Sequence, residues 1–317
     1  MSAETPSEAC GTSAANPVVC CGAKAVRPQS VCLPCPAKLN IFLEVLKRRE
    51  DGYHDLDTVM LRTQFCDTLT IQPREDQQLR LRFSDSTPEH LRTGVPLDEK
   101  NLILRAAVRL REQFGIQKGA DFILHKRIPP ESGLAGGSSN AASALLGLRT
   151  LWKPDLPDTA LHEIAAALGS DINFLLSGAR AAKCSSRGEI VTPIPMKGSL
   201  FFAAVRPDLG NSTGAVFRGV DFESSRHSSL TVVDCLTSGD YRTISQQIFN
   251  RLTDPARELN GEMMELMQSM QSILRRPVFM SGSGSTVFVV CQHRQQAIQD
   301  LQAIEVRLRR KGWLLEV

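Results

Sequence analysis

Residues 129–142 form the segment whose residue types and spacing best suit chemistry. The sequence Pro-Pro-Glu-Ser-Gly-Leu-Ala-Gly-Gly-Ser-Ser-Asn-Ala-Ala is a glycine-rich turn that leads directly into small residues that favour a helix. Glycines let the backbone approach an anion without a Cβ in the way, and serines add hydroxyls where a helix start presents unpaired N–H groups. In this segment the glycines are Gly133, Gly136 and Gly137, and the serines next to them are Ser138 and Ser139. The segment predicts a polyphosphate site and a nucleotide-dependent enzyme.

Two common nucleotide motifs are excluded for this segment. No Gly-Lys-Ser or Gly-Lys-Thr follows the glycines, so it is not a Walker loop, and the Gly-x-Gly-x-x-Gly of dinucleotide sites is absent. The alternative is a solvent-exposed loop that caps an ordinary helix. Residues elsewhere in the chain must decide between these interpretations.

Composition limits the class of protein. The 317 residues are 42% hydrophobic and 22% charged, which is typical of a soluble globular protein with a large core and, at this length, two domains. The net charge of +3 is too small to indicate a nucleic-acid partner. No apolar stretch approaches the roughly 20 residues that a membrane helix needs. We therefore expect a cytoplasmic protein with neither a nucleic-acid nor a membrane partner.

The start of the chain differs from the rest. Residues 1–29 are rich in Ser, Ala, Thr, Pro and Gly and lack the basic start and apolar centre of a signal peptide, so we predict a disordered extension. Five of the nine cysteines lie within the first 35 residues. The odd total and the apolar surroundings of the others favour reduced thiols. A four-thiolate zinc site from Cys20, Cys21, Cys32 and Cys35 is disfavoured because one pair is adjacent.

Hydrophobic periodicity predicts the elements that must position the loop. Strands are predicted over residues 31–45, 58–71, 79–83, 121–128, 200–205 and 287–291. Helices are predicted over residues 102–114, 139–152, 159–168, 171–176 and 294–310, and two more have the inner faces Ile244, Ile248, Leu252 and then Leu259, Met263, Leu266, Met270, Ile273. Asp51-Gly52 signals a hairpin and residues 221–240 a polar connection. Ser170 as an N-cap would put Asp171 in the first turn of its helix.

Three segments in this order resemble the signature motifs of the GHMP kinases, small-molecule kinases unrelated to P-loop enzymes. They are residues 36–40 (Pro-Ala-Lys-Leu-Asn), the loop at 129–142, and residues 281–284 (Ser-Gly-Ser-Gly). Further segments resemble one branch of that family, whose substrate is a methylerythritol joined to cytidine diphosphate. These are residues 49–56, 169–173, 187–189 and Ser212-Thr213 with Phe217.

The resemblance implies a fold and a reaction. The fold would be α+β with two domains, a ribosomal-protein-like β/α domain over residues 30–190 and a ferredoxin-like domain over 191–317, with the active site in the cleft between them. The reaction would be ATP-dependent phosphorylation of the 2-hydroxyl of the methylerythritol unit, with Mg²⁺, in non-mevalonate isoprenoid biosynthesis. The expected partner is this small cytidine diphosphate substrate. The protein would be a monomer or a weak homodimer.

The same resemblance implies roles for individual residues. Lys38 and Asp171 would be the catalytic pair, with Lys38 complementing the charge that develops on the transferred phosphoryl group. A helix N-terminus and Lys38 would both favour ionised Asp171, so we expect it to orient the hydroxyl and accept its proton late. The residues expected to wrap the ATP phosphates are Pro129, Pro130, Glu131, Ser132, Gly133, Leu134, Ala135, Gly136, Gly137, Ser138 and Ser139, and Ser138 or Ser139 would reach Mg²⁺.

Substrate recognition would use aromatic stacking and a few polar contacts. Tyr53 and Phe217 would sandwich the cytosine ring and His54 would bond its edge, since a pyrimidine is flat and carries a distinctive hydrogen-bonding edge. Asn40 and Thr213 are further candidates.

Two departures from the family pattern bear on local conformation. Ala135 stands where many relatives have glycine, which predicts that this position does not need a positive φ. Residues 183–186 (Lys-Cys-Ser-Ser) replace a small residue and glycine, in a run that is one residue longer, so the conformation of the turn at 187–189 is left open.

Two alternatives stay open at this point. Another GHMP kinase, of the mevalonate or homoserine type, would share the loop but lack Tyr53-His54 and Phe217. A catalytically silent nucleotide sensor could use the same fold, although the presence of both Lys38 and Asp171 argues against it.

Overall fold

The structure, a computed structural model, describes residues 29–317. The prediction of a disordered extension, and the half of the disfavoured zinc site that Cys20 and Cys21 would form, lie outside the described residues. Within 29–317, none of the helices combines the length and apolarity that crossing a membrane requires. The six cysteines of this part are free thiols, as predicted.

Strands and helices are interspersed along the described residues. The strands are β1 (Val31–Arg48), β2 (His54–Arg74), β3 (Leu79–Phe83), β4 (Gly119–His125), β5 (Ala181–Ser186), β6 (Ile190–Pro193), β7 (Phe201–Val205), β8 (Phe249–Asn250), β9 (Phe279–Met280), β10 (Val287–Cys291) and β11 (Trp313–Glu316). The helices are α1 (Leu102–Phe114), α2 (Gly136–Trp152), α3 (Asp158–Leu168), α4 (Ile172–Leu176), α5 (Thr213–Arg218), α6 (Leu230–Ser238), α7 (Ile244–Gln247), α8 (Thr253–Leu259), α9 (Gly261–Leu274) and α10 (Arg294–Leu308).

The first sheet is built on one long hairpin. In the described residues it has seven strands in the order β3-β4-β2-β1-β8, and β5 also pairs with β2 and carries β6 on its other edge. β1 and β2 pair antiparallel through the predicted turn, where Gly52 has φ +84°. Because β2 is 21 residues long, one end pairs with β4 and the other with β5. The hairpin thus brings residues from distant parts of the chain to one sheet.

Helix α2 is buried on this sheet because its residues are small. Alanine, serine and glycine dominate its first three turns, and a Cβ added at Gly147 would lie only 2.5 Å from the Ile71 side chain. Small residues let a helix and a sheet approach closely, so the glycine loop that precedes α2 is carried on a rigid base.

The second sheet lies in the C-terminal part. Its four described strands have the antiparallel order β11-β7-β10-β9. Met263 and Met270 of α9 are fully buried in its hydrophobic core. This confirms the prediction that these two methionines face inward. Strand β8, although it follows β7 in the chain, pairs parallel with β1 of the first sheet. The two halves of the chain are therefore joined through strand pairing as well as packing.

Several sequence predictions about this half were wrong. The helix predicted around residues 244–252 is the short α7 followed by β8, and the polar connection predicted at 221–240 contains α6. Leu259, predicted to face inward, is 58% exposed at the end of α8. A strand of two residues such as β8 is too short to show alternation in the sequence. It is a strand because it pairs with β1.

Candidate functional site

A cavity of about 760 Å³ lies where the three glycine- and lysine-bearing segments meet. Its lining comes from β1, the loop before α2, the residues that begin α4, the start of α5, and residues 282–284. Fourteen residues of the predicted site are among the lining residues, namely Lys38, Asn40, Pro129, Pro130, Glu131, Ser132, Gly133, Ala135, Gly136, Gly137, Ser138, Asp171, Thr213 and Phe217. Leu134, Ser139, Tyr53 and His54 are not.

The glycine loop packs backbone against backbone on residues 281–286. A Cβ on Gly133, which has φ +73°, would lie 2.4 Å from the Ser281 carbonyl oxygen and 2.7 Å from that of Gly284. The Thr286 N–H donates to the Ser132 carbonyl oxygen at 3.1 Å. Such a close approach is open only to glycine, so Gly133 is needed for packing as much as for a ligand.

Residues 281–284 are held in turn by two asparagine side chains. Asn250 donates from Nδ2 to the carbonyl oxygens of Met280 (2.9 Å) and Gly282 (2.8 Å). Asn211 donates from Nδ2 to the Ser283 carbonyl oxygen at 2.9 Å. Neither asparagine lies in a sequence motif, so neither was predicted. Their amide groups stabilise backbone that no sheet ladder satisfies.

Ala135 contradicts the prediction made from the sequence. Its φ is +57°, so the position does adopt the left-handed conformation that glycine adopts without strain. An alanine there costs about 1 to 2 kcal/mol relative to its preferred conformations. The cost is borne because Ala135 occupies the N-cap position of α2, where the chain must turn sharply from loop to helix.

Helix α2 begins without a side-chain cap. No side chain accepts a hydrogen bond from its first N–H groups within the described residues. The first turn of a helix carries unpaired N–H groups and the positive end of the helix dipole, which together suit a phosphate. Because Gly136, Gly137 and Ser138 line the cavity, this end of α2 faces it.

The two serines of the loop differ in accessibility. Ser138 is partly exposed and lines the cavity, whereas Ser139 is fully buried and its hydroxyl has no hydrogen-bond partner among the described residues. Ser138 is therefore the better placed for a ligand. No group of three or more His, Cys, Asp or Glu side chains within residues 29–317 could form a protein metal cage. Mg²⁺ commonly binds phosphates and few protein oxygens, so a single hydroxyl beside a polyphosphate fits it.

Lys38 and Asp171 meet on one side of the cavity. The Lys38 ammonium lies 3.8 Å from Asp171 Oδ2, and it also donates to Asn40 Oδ1. Only 5% of the Lys38 side chain and 28% of the Asp171 side chain are exposed. An irregularity in the pairing of β1 with β2 precedes Lys38, whose N–H donates to the Leu134 carbonyl oxygen of the glycine loop (3.1 Å). The pair is thereby fixed to the loop.

The position of Asp171 in its helix corrects a prediction. Ser170 was expected to cap α4, with Asp171 in its first turn, but Asp171 itself is at the N-cap with φ −78° and ψ −14°. In that conformation its carboxylate accepts no capping hydrogen bond. The carboxylate is therefore free to face Lys38 and the cavity.

Asn40 and Thr213 are both held by short polar contacts. Asn40 donates from Nδ2 to Thr58 Oγ1 at 2.9 Å, and its N–H donates to Ser281 Oγ at 3.2 Å. Thr213 Oγ1 lies 2.9 Å from Ser283 Oγ. Asn40 thus links β1, and Thr213 links the start of α5, to residues 281–284, so the wall is continuous.

The aromatic residues form a different arrangement from the sandwich that was expected. The His54 ring stacks on Phe217 with centroids 5.0 Å apart and on Phe222 with centroids 6.0 Å apart. Tyr53 is 52% exposed, and Cζ of the Arg187 guanidinium lies over its ring, 4.9 Å from the ring centroid. Phe217 and Arg187 line the cavity, so His54 and Tyr53 lie one residue behind its wall. Burial and, less strongly, Arg48 lower the pKa of His54, which keeps its ring neutral at pH 7.

Cys184 is a buried neighbour of the pair. The Cys184 thiol is fully buried on β5, and burial, with the nearby Asp171 charge, raises its pKa to about 12. A thiol with such a pKa is protonated at neutral pH and is a poor nucleophile. Cys184 is therefore not a candidate nucleophile of this cavity.

Two family models and several known kinases match this chain. The family models "GHMP kinases N terminal domain" and "GHMP kinases C terminal" match residues 101–179 and 232–307. The chain is 33% identical to a 4-diphosphocytidyl-2-C-methyl-D-erythritol kinase of Shouchella clausii, over 82% of this chain and 85% of that one. It is 32% identical to the kinase of the same name from Exiguobacterium sibiricum, over 84% and 91%.

Solved structures agree with these relatives. A crystal structure of 4-(cytidine 5'-diphospho)-2C-methyl-D-erythritol kinase superposes with a TM-score of 0.73 at 30% identity, over 90% of this chain and 98% of that one. A homoserine kinase from Cytophaga hutchinsonii superposes with a TM-score of 0.67 but at 16% identity, over 93% and 96%, which is a likeness of fold alone.

The close packing of Gly133 predicts that a side chain at this position lowers the stability of the protein. Gly133→Ala should lower the free energy of unfolding by about 2 kcal/mol or more, because the added Cβ meets two backbone carbonyl oxygens at a positive φ. Urea unfolding measures this effect. Gly261→Ala is the matched control, since a Cβ there has nothing within 4 Å. Equal stability of the two variants would contradict the close packing of the loop.

Proposed function

Because the chain belongs to the 4-diphosphocytidyl-2-C-methyl-D-erythritol kinases of the GHMP kinase family, we propose that it phosphorylates the 2-hydroxyl of that compound with ATP. This is a step of non-mevalonate isoprenoid biosynthesis. The observation that carries the proposal is the cavity in which a buried lysine, a carboxylate and an uncapped helix N-terminus meet. GHMP kinases are ATP-dependent phosphotransferases, so ATP is the phosphoryl donor.

The glycine loop and the start of α2 would hold the phosphates of ATP. The N–H groups of Gly136, Gly137 and Ser138 are positioned to offset negative charge, and the helix dipole acts in the same direction. Mg²⁺ bound with the nucleotide would neutralise further charge, and the Ser138 hydroxyl is the loop side chain suited to reach it. Phosphoryl transfer needs mainly such positioning and electrostatic stabilisation.

Asp171 and Lys38 would act on the transferring group. The bond between the γ-phosphorus and the bridging oxygen breaks as the substrate oxygen bonds to phosphorus, and ADP leaves. Asp171 would orient the hydroxyl and accept its proton, and the Lys38 ammonium would stabilise the charge on the γ-phosphoryl oxygens. Asn40, which accepts from Lys38, would hold the ammonium in place. We propose that Asp171 first orients the hydroxyl and accepts its proton late in the transfer.

The cytidine end would lie against Phe217, the aromatic residue of the predicted set that lines the cavity. A neutral His54 has one ring nitrogen that donates and one that accepts, so it can bond a pyrimidine edge. Its stacking on Phe217 makes the two rings one recognition unit. Tyr53 would close the subsite from outside, through its contact with Arg187.

A substrate panel tests the proposal against its alternatives. Purified protein should convert ATP to ADP with 4-diphosphocytidyl-2-C-methyl-D-erythritol, measured by coupled ADP detection and by mass spectrometry of the phosphorylated product. Mevalonate and homoserine serve as controls, and no turnover is expected with them. Equal turnover of all three compounds would contradict the cytidine subsite, and nucleotide binding without any turnover would favour the catalytically silent sensor.

The remaining expectations stand as part of the same proposal. The domain division at residue 190 and the cytoplasmic location are proposed from the sequence, as is a monomer or weak homodimer without a nucleic-acid partner. Strand β6 spans Ile190–Pro193 and pairs with β5, so a boundary just after residue 190 would fall within a strand of the first sheet.

A further inference from the structure

Asp67 is a fully buried carboxylate on β2 that belongs to none of the three motifs. Its two oxygens accept hydrogen bonds from four groups. These are the Lys126 ammonium, the N–H of Arg127 (2.6 Å), the N–H of Ile128 (2.8 Å) and Asn140 Nδ2 (3.0 Å). One side chain therefore joins β2 to the residues after β4 and to helix α2.

Every group that Asp67 holds is next to the glycine loop. Lys126 and Asn140 line the cavity, and Arg127 and Ile128 lead directly into Pro129. A Cβ added at Gly136 would lie 3.0 Å from the Lys126 ammonium, so this cation lies against the first residue of α2. The contacts of Asp67 thus fix both ends of the loop and a cation beside it.

Stability alone does not account for a charge at this position. Removing a carboxylate from water costs several kcal/mol, and a well-packed apolar group in place of a buried ion pair is often equally stable. A buried charge that is fully hydrogen-bonded, however, holds its partners in one arrangement. The partners here are a loop backbone, a helix and a cavity-lining ammonium.

We propose that Asp67 is a positioning residue for the nucleotide. It holds the Lys126 ammonium against the start of α2 and anchors residues 127–128, so that the phosphate site is formed before ATP binds. Asp67 does not touch the ligand, since it is absent from the cavity wall. The inference rests on the proposed function only for the kind of ligand, a nucleoside triphosphate.

Asp67→Asn tests the proposal because it keeps the size of the side chain. One amide oxygen can still accept from the backbone, but the new NH₂ group would face two other donors, Lys126 and Asn140. We expect the dissociation constant of a non-hydrolysable ATP analogue, measured by calorimetry with Mg²⁺, to rise on the order of 10-fold. The KM of the cytidine substrate should change by less than about 2-fold. An unchanged dissociation constant, or equal effects on both ligands, would overturn the proposal.

A double-mutant cycle with Lys126→Met separates positioning from general damage. If Asp67 acts through Lys126, the double variant should bind the analogue about as weakly as Lys126→Met alone. Additive losses of binding free energy in the two single variants would contradict the action of Asp67 through Lys126. The double variant also removes both buried charges, so it provides a reading even if Asp67→Asn fails to fold. Analogue binding as tight as that of the unchanged protein in the double variant would contradict the proposal.

Glu44→Gln is the matched control for losing a buried carboxylate. Glu44 is fully buried and accepts from the Arg251 guanidinium and from the N–H groups of His227 and Val45. Its loss should lower stability without raising the dissociation constant of the ATP analogue, and an equal rise would overturn the special role of Asp67. Because binding is measured without the phosphoryl acceptor, this result is independent of the substrate panel.

Discussion

Asp171→Asn should lower kcat by about 10³-fold while the dissociation constant of the ATP analogue stays within about 2-fold. The amide has the shape of the carboxylate but cannot accept the proton of the substrate hydroxyl. Because Asp171 accepts no capping hydrogen bond from α4, the substitution should leave that helix intact. Steady-state ADP release with saturating substrates measures kcat.

Asp158→Asn is the control for this variant. Asp158 begins helix α3 and its side chain is 77% exposed, so the same chemical change is made at another helix start, outside the cavity. Its kcat should be unchanged. A fall of less than about 10-fold in Asp171→Asn would contradict proton acceptance by this carboxylate and leave it only an orienting role.

Lys38→Met should lower kcat by about 10² to 10³-fold, because an interior cation stabilises the charge that develops during transfer. The methionine fills a similar volume, and the Lys38 side chain is only 5% exposed, so the packing of β1 should be kept. The effect should be larger on kcat than on the KM for ATP if the ammonium acts mainly in the transition state. Initial rates over a matrix of both substrate concentrations separate the two.

Lys183→Met provides the comparison. Lys183 lies on β5, which pairs with β2 as β1 does, is 37% exposed, and pairs with Asp57 at 3.3 Å rather than with Asp171. Loss of this lysine should leave kcat within about 2-fold, since a partly exposed ion pair contributes at most about 1 kcal/mol to stability. Equal losses in the two variants would indicate that the effect of Lys38→Met comes from net charge and not from position.

The segments that carry motifs were predictable because their residue types have few structural uses. Residues 129–142 were expected to be a loop that opens a helix, and α2 begins at Gly136. The strand at 287–291 and the turn at Asp51-Gly52 followed from alternation and from turn chemistry. In each case the local preference and the tertiary fold agree.

The misses share a physical cause, which is dependence on a distant partner. Ala135 has φ +57° where the loop that packs on residues 281–286 turns sharply into α2, and the preference of alanine does not show this. His54 stacks on Phe217 and Phe222, which are far from it in the chain. The two-residue strand β8 exists only because β1 lies beside it.

The sequence by itself indicated the glycine loop, and the resemblance of its ordered motifs to a known family indicated the class of protein and Lys38 and Asp171 as candidates. Only the tertiary structure decided that these two side chains lie 3.8 Å apart, that Asp171 is an N-cap with a free carboxylate, and that Asp67 anchors the loop. The reason is that residue type specifies which bonds a group can make. The packing of β1, α2 and α4 on a common sheet determines which partners are within reach.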